Sequence, residues 1–134
     1  MKAVPTYIYK IVPSRFPPPS PLPDALPVSD LDQRDGFIHL STSLQVPGTL
    51  NRFFAEEDKV YILRIVYSSV ESKIKWEDSK GKTAGGVGEP NMFPHLYNDL
   101  RLGKSEIESV VEWERKPNWD AAIEKATEDA WFIY

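Results

Sequence analysis

Seven of the chain's twelve prolines fall between Pro13 and Pro27. Proline has no amide hydrogen, and its ring collides with the preceding helical turn. That stretch can be neither a helix nor an inner strand. It predicts an extended surface connector, partly polyproline II. Arg15-Phe-Pro-Pro18-Pro-Ser-Pro21 also fits the basic-x-x-Pro-x-x-Pro ligand of SH3 domains, which makes an SH3-type partner the alternative expectation. Such matches arise by chance in proline-rich sequence, and a packed connector is the commoner outcome.

Regular structure is confined to either side of the run. Thr6–Val12 is aromatic and β-branched and reads as a strand. Asp35-Gly36 looks like a turn, followed by a short strand, Gly36–Leu40. Period-two alternation puts Phe37, His39 and Ser41 on one face and Ile38 and Leu40 on the other. Thr42 or Ser43 is placed to cap a helix from about Pro47 to Phe54, with Leu50, Phe53 and Phe54 as its apolar stripe. Lys59–Tyr67 is nearly continuous in apolar residues, so it should be a central strand covered on both faces. Ile74–Glu77 is a short strand, and the loop after it holds four of the seven glycines. Phe93–Tyr97 is compact and aromatic. In Glu106–Arg115, Ile107, Val111 and Trp113 should face one way and the glutamates the other. After Pro117-Asn118, residues Trp119, Ala122, Ile123 and Ala126 mark a last helix to about Ala130. The inventory is one α+β domain over residues 1–134 with five or so strands and two or three helices.

Composition removes several function classes. The 134 residues contain no Cys, so disulfides, thiolate metal sites and Cys nucleophiles are excluded. A net charge of −4 argues against nucleic-acid or anionic-membrane binding. No apolar run approaches the length of a spanning helix, and no signal-peptide core is visible, so a soluble cytoplasmic protein is expected. Gly81-Lys-Thr83 lacks the first glycine of a P-loop, and Gly86-Val-Gly88 lacks the third glycine of a dinucleotide fingerprint. Lys73, Lys75, Lys80 and Lys82 beside the loop form either a solvated hairpin or a phosphate-facing patch.

The two histidines carry the most information. Each sits in an aromatic stretch beside hydroxyl groups, in Phe-Ile-His39-Leu-Ser-Thr42 and Phe-Pro-His95-Leu-Tyr97. Their spacing is wrong for a metal site, and no metal is expected. Imidazole and hydroxyl groups pointing into a cleft suit sugar hydroxyls or phosphate oxygens.

Asp-Gly-Phe-Ile-His39-Leu-Ser-Thr-Ser-Leu-Gln45, Asn-Arg-Phe-Phe54, Trp76-Glu77 and Phe-Pro-His95-Leu-Tyr97 together resemble the domain-of-unknown-function 952 family, over about residues 6–113. That leaves 114–134 as a C-terminal helical extension. The family's fold is similar to that of ADP-ribosyltransferases, most closely the NAD-using RNA 2′-phosphotransferases. The resemblance implies two small, mostly antiparallel sheets with a NAD-sized cleft between them. In that fold an early strand offers a Tyr-His pair to the dinucleotide, and here Tyr9-Lys10 takes its place. The second strand keeps His39. The third position, often a catalytic Glu, falls near Phe93–His95 and is not acidic, so Glu77 is the nearest carboxylate. The family's usual helix after the first strand is expected to be replaced by the proline run.

The implied site has Glu77, His39 and His95 as catalytic residues, with Tyr9, Lys10, Ser41, Thr42, Trp76 and Tyr97 binding the ligand. The implied chemistry is cleavage or transfer at the ribose of NAD or a related nucleotide, through an oxocarbenium-like transition state that needs a nearby carboxylate. The alternative is a non-catalytic interaction module that keeps the fold without the chemistry.

Overall fold

The computed structural model describes residues 3–134. Six strands and four α-helices follow in chain order: β1 Tyr7–Pro13, α1 Asp30–Asp35, β2 Ile38–His39, α2 Val46–Phe53, β3 Lys59–Val66, α3 Tyr67–Val70, β4 Ile74–Glu77, β5 Phe93–Leu96, β6 Ile107–Glu114 and α4 Asp120–Glu128. They make two antiparallel three-stranded sheets, ordered β1-β3-β6 and β2-β5-β4. The α+β class is as expected, with more helices than the two or three anticipated. None of the described helices is long and apolar enough to cross a membrane.

β3 is central because both its faces are apolar. Leu63 and Ile65 meet Ile8, Ile38, Leu40, Trp76 and Leu96 in one cluster. Val60 and Ile62 meet Tyr9, Leu50, Trp113, Trp119 and Phe132 in a second. The first cluster draws on both sheets, so apolar side chains fill the space where a cleft between the sheets was expected. The second is covered by α2, α4 and the C-terminal segment. Trp119, Ala122, Ile123 and Ala126 all join it, as their spacing predicts.

Several local expectations are corrected. Residues 30–35 are helical. Ser29 Oγ accepts from the Asp32 amide at the start, and Gly36 closes the end at φ 80°. The Asp35-Gly36 turn is thus a helix C-terminus, where glycine adopts the left-handed backbone without penalty. A short helix therefore follows the proline run and is not replaced by it. On α2, Gln45 is the N-cap, without a side-chain bond, in place of Thr42 or Ser43. Phe53 is 69% exposed and leaves the stripe. On β6 the register slips opposite Arg64 and Ile65, so Glu108 is an extra residue. That bulge turns Ile107 to the first cluster while Val111 and Trp113 face the second. It also lets Glu108 bind Arg64 through two hydrogen bonds of 2.9 Å.

β5 is the middle strand of its sheet although it contains Pro94. The Leu40 amide donates to the Pro94 carbonyl at 3.2 Å, so Pro94 presents its backbone toward β2. β2 has ended at His39, and the missing proline N–H interrupts no ladder.

The connector is packed at its far end. The Leu26 amide donates to the Leu102 carbonyl at 2.8 Å and the Lys104 amide to the Pro23 carbonyl at 2.9 Å. Leu22 and Leu26 touch the first cluster. A Cβ on Gly103 would collide with the Asp24 carbonyl and lie 2.5 Å from that of Pro23. Gly103→Ala is therefore expected to destabilise the fold by ~1–3 kcal/mol and to speed cleavage of the connector by proteases. Urea midpoints and limited proteolysis check both effects, and an unchanged midpoint would refute the tight docking.

Candidate functional site

Antiparallel pairing assembles the site. His39 on β2 lies opposite His95 on β5, and His95 lies opposite Lys75 on β4. Opposed residues share a sheet face, as do residues two apart along a strand. His39, His95, Lys75 and Glu77 consequently occupy one face, and the other carries Ile38, Leu96 and Trp76 into the core. The three residues expected to be catalytic are brought together. The imidazole centroids are 5.2 Å apart, and His95 Nδ1 is 3.0 Å from Glu77 Oε1. Tyr97 joins them, its hydroxyl donating to the same oxygen at 2.6 Å.

Phe37 sits between the parts. Its ring stacks on His95 at 4.1 Å and tilts toward His39 at 4.5 Å. Gly81, at φ 73°, folds the glycine-rich loop onto Phe37, where a Cβ would stand 2.7 Å from the ring. The loop is thus a cover over this face, held by the Lys82 and Thr83 amides donating to Asp78 Oδ1.

Two environments result. His95 is 1% exposed, and burial pushes its pKa below the usual value even though Glu77 pulls the other way. With the ring neutral, Nδ1–H donates to Glu77, and Nε2 keeps its lone pair, turned away from the carboxylate. Burial, then Glu77, raises the Tyr97 hydroxyl, so it stays a neutral donor. His39 is more open and lies between two carboxylates. Nδ1 is 2.7 Å from Asp32 Oδ1, and Nε2 is 3.1 Å from Asp35 Oδ2. A proton on either nitrogen is met by an acceptor.

Asp32 is the hub. Besides the His39 ring, its carboxylate accepts the His39 amide at 3.1 Å and Lys10 Nζ at 2.7 Å. Lys10 also donates to the His39 carbonyl at 3.2 Å. Burial pushes the Asp32 carboxyl up, but His39 and Lys10 outweigh it and hold it at about 2, against 3.8 ordinarily. Asp32 and Asp35 were missed in the sequence. The available signal was Ser29-x-x-Asp32 followed by Asp35-Gly36, an N-cap and a C′ glycine framing one helical turn.

Of the remaining residues expected to bind ligand, Tyr9, Trp76 and Thr42 lie apart. Tyr9 is fully buried in the second cluster, its hydroxyl between the carbonyls of Trp131 and Ile133 and raised by burial to about 12. Trp76 is in the first cluster, and its indole donates to the Tyr67 hydroxyl at 3.0 Å. Strand alternation explains Trp76, since it sits one residue from Glu77. Ser41 links the sheets by exchanging backbone hydrogen bonds of 2.8 and 2.9 Å with Tyr9. Thr42 lines a separate pocket of about 150 Å³ with Gln45 and residues 88–91.

The sequence model of a family described as a protein of unknown function (DUF952) matches residues 23–112. No curated protein matches the chain. The crystal structure of protein CC0527 from Caulobacter crescentus shares 24% identity over 89% of this chain and 99% of its own, with a TM-score of 0.63. A solution NMR structure of CC0527 shares 26% over 83% and 87%, with a TM-score of 0.56. Both structures share the fold.

The depressed Asp32 carboxyl makes stability depend on pH. A lowered folded-state pKa adds stability above the unfolded value and loses it as pH falls through the folded one. The shift from 3.8 to about 2 corresponds to ~2 kcal/mol. Wild type should exceed Asp32→Asn by that amount near neutral pH, and the gap should close as pH falls from 3.8 toward about 2. Urea midpoints across this range check it, and a gap independent of pH would show that the charge is not responsible.

Proposed function

For a chain that belongs to the DUF952 family, we propose that the covered face of the β2-β5-β4 sheet binds NAD or a related nucleotide and acts at its ribose. The observation that carries this reading is the convergence of His39, His95 and Glu77 from three strands on one face. Two small antiparallel sheets and a histidine in the second strand also suit an ADP-ribosyltransferase-like domain, though the site lies on an outer sheet face and not between the sheets.

The chemistry follows from the charge. Glu77 and Asp35 are acceptors for ribose hydroxyls, and with Asp32 they stabilise the positive charge of a nicotinamide ring or an oxocarbenium-like centre. Glu77 is fixed by Tyr97 and His95, so it needs little reorganisation. His95 Nε2 is a base that can take a proton from an attacking hydroxyl or water. His39, between its two carboxylates, orients the sugar.

One observation favours the second reading, a non-catalytic module. Lys10, in the place of the expected histidine, is bound to Asp32, and both nitrogens of His39 already face carboxylates. A cluster satisfied by its own residues serves structure as well as chemistry.

Titration of NAD and ADP-ribose against the full chain separates the two. The nucleotide reading expects saturable shifts of the His39 and His95 ring signals. It also expects release of nicotinamide from NAD that Glu77→Gln slows by ~10²-fold or more while leaving the fold intact. Silent rings at ~5 mM ligand would overturn it. Ring shifts without turnover would leave binding and remove the chemistry.

A further inference from the structure

The same sheet face continues past Tyr97 into a region of opposite charge. Lys75 follows Glu77's face two residues back along β4, and its Nζ lies 4.4 Å from the centroid of the Tyr97 ring. Two residues further back, the Lys73 carbonyl accepts the Tyr97 amide at 2.8 Å. Among the described residues neither lysine forms an ion pair, and the nearby Arg101 reaches Glu106 only at 3.7 Å.

Lys73 and Arg101 meet in a pocket of about 420 Å³, whose remaining lining is Ala25 and Asn98 to Leu100. That volume suits a small ligand. Its floor is a strained turn. Asp99 and Leu100 both have a φ of 61°, which leucine rarely adopts. Asn98 holds the turn, its side chain donating to the Arg101 carbonyl at 2.6 Å and accepting the Arg101 amide at 3.1 Å. The proline connector supplies the opposite wall, because the Leu26–Leu102 hydrogen bond sets Ala25 in place. Asp99 is the one carboxylate in the lining, against Lys73 and Arg101 within it, and Lys75 lies two residues along the chain from Lys73.

We infer that this pocket is an anion subsite, taking a phosphate or diphosphate group of a ligand whose sugar lies on His39, His95 and Glu77. The inference deepens the nucleotide reading and rests on it for the ligand's identity. Two residues of strand separate Glu77 from Lys75 by ~7 Å, so a sugar on Glu77 can send a phosphate ester toward Lys75 and the pocket beyond. The division of charge has a physical purpose. Carboxylates at one end suit hydroxyls and a cationic ring, but they repel phosphate, which needs the cations of the other end.

Inorganic pyrophosphate is the probe, titrated into the full chain at constant ionic strength with chloride as the control. Saturable amide shifts at Lys73 and residues 98–101 are expected. The affinity should fall at least ~10-fold when Lys73→Glu and Arg101→Glu are combined. Both side chains are on the surface, and the milder Lys73→Gln provides a second variant should charge reversal disturb the fold. No response at ~50 mM pyrophosphate, or an equal response to chloride, overturns the subsite. The two readings fail separately. If ADP-ribose shifts His39 and His95 while pyrophosphate leaves the pocket silent, this inference falls and nucleotide binding stands. If pyrophosphate fills the pocket while ADP-ribose leaves both rings unmoved, the anion site stands and the nucleotide reading falls.

Discussion

The contact between Lys10 and Asp32 ties the molecule together. Lys10 comes from β1 in one sheet, Asp32 from α1, and both hold His39 on β2 of the other sheet. Asp32 is nearly buried, and a buried carboxylate is costly unless its lone pairs are filled. Here Lys10, the His39 amide and the His39 ring fill them. Removing Lys10 would strand the charge, and removing Asp32 would leave Lys10 only the His39 carbonyl and the imidazole only Asp35. The sequence departs at Lys10 from the Tyr-His pair that its resemblance suggests, and Asp32 is the partner that makes the departure stable.

The rest of the architecture serves to present one sheet face. Apolar side chains of both sheets meet in a shared cluster, which fixes the sheets against each other and fills the space between them. The polar face of the second sheet is then left outward, to be covered by α1 and the glycine-rich loop. Gly81 allows that loop to touch Phe37, and Phe37 separates the two imidazoles from the cover. On the first sheet, the bulge at Glu108 performs a related task. It moves a carboxylate onto Arg64, whose guanidinium also stacks over Tyr7 at 4.0 Å and donates to the Trp131 carbonyl. The C-terminal segment is thereby held against β1.

Much of this was legible in the residues, for reasons of periodicity. β1, β3, β4, β6 and α4 announce themselves by β-branched or amphipathic patterns, and alternation correctly grouped Phe37 with His39. The motifs around His39, Glu77 and His95 pointed to one place because strand pairing makes distant residues neighbours. What was hidden depends on tertiary context. Trp76 looks like a stacking platform until its parity on β4 sends it into the core. Tyr9 looks like a ligand contact until the C-terminal carbonyls claim its hydroxyl. β5 is masked by Pro94, which is tolerated only because β2 is two residues long. The bulge at Glu108 leaves no local signature and reverses the face assigned to Ile107. α1 was obscured by the prolines before it, although Ser29 and Gly36 frame it.

The electrostatic layout gives the fold its directional character. A mildly acidic chain collects Asp32, Asp35 and Glu77 around two imidazoles at one end of a sheet face, and leaves Lys73 and Lys75 toward the other, without carboxylate partners among the described residues. A lysine set directly opposite Glu77, where β5 carries Phe93, would neutralise it. Keeping unlike charges on one face but apart forgoes that attraction. In the proposed anion subsite, that separation suits a ligand with hydroxyls or a cation at one end and an anion at the other. The Asp99–Leu100 turn forms part of the pocket wall beside Lys73 in a backbone conformation that its own residues do not favour.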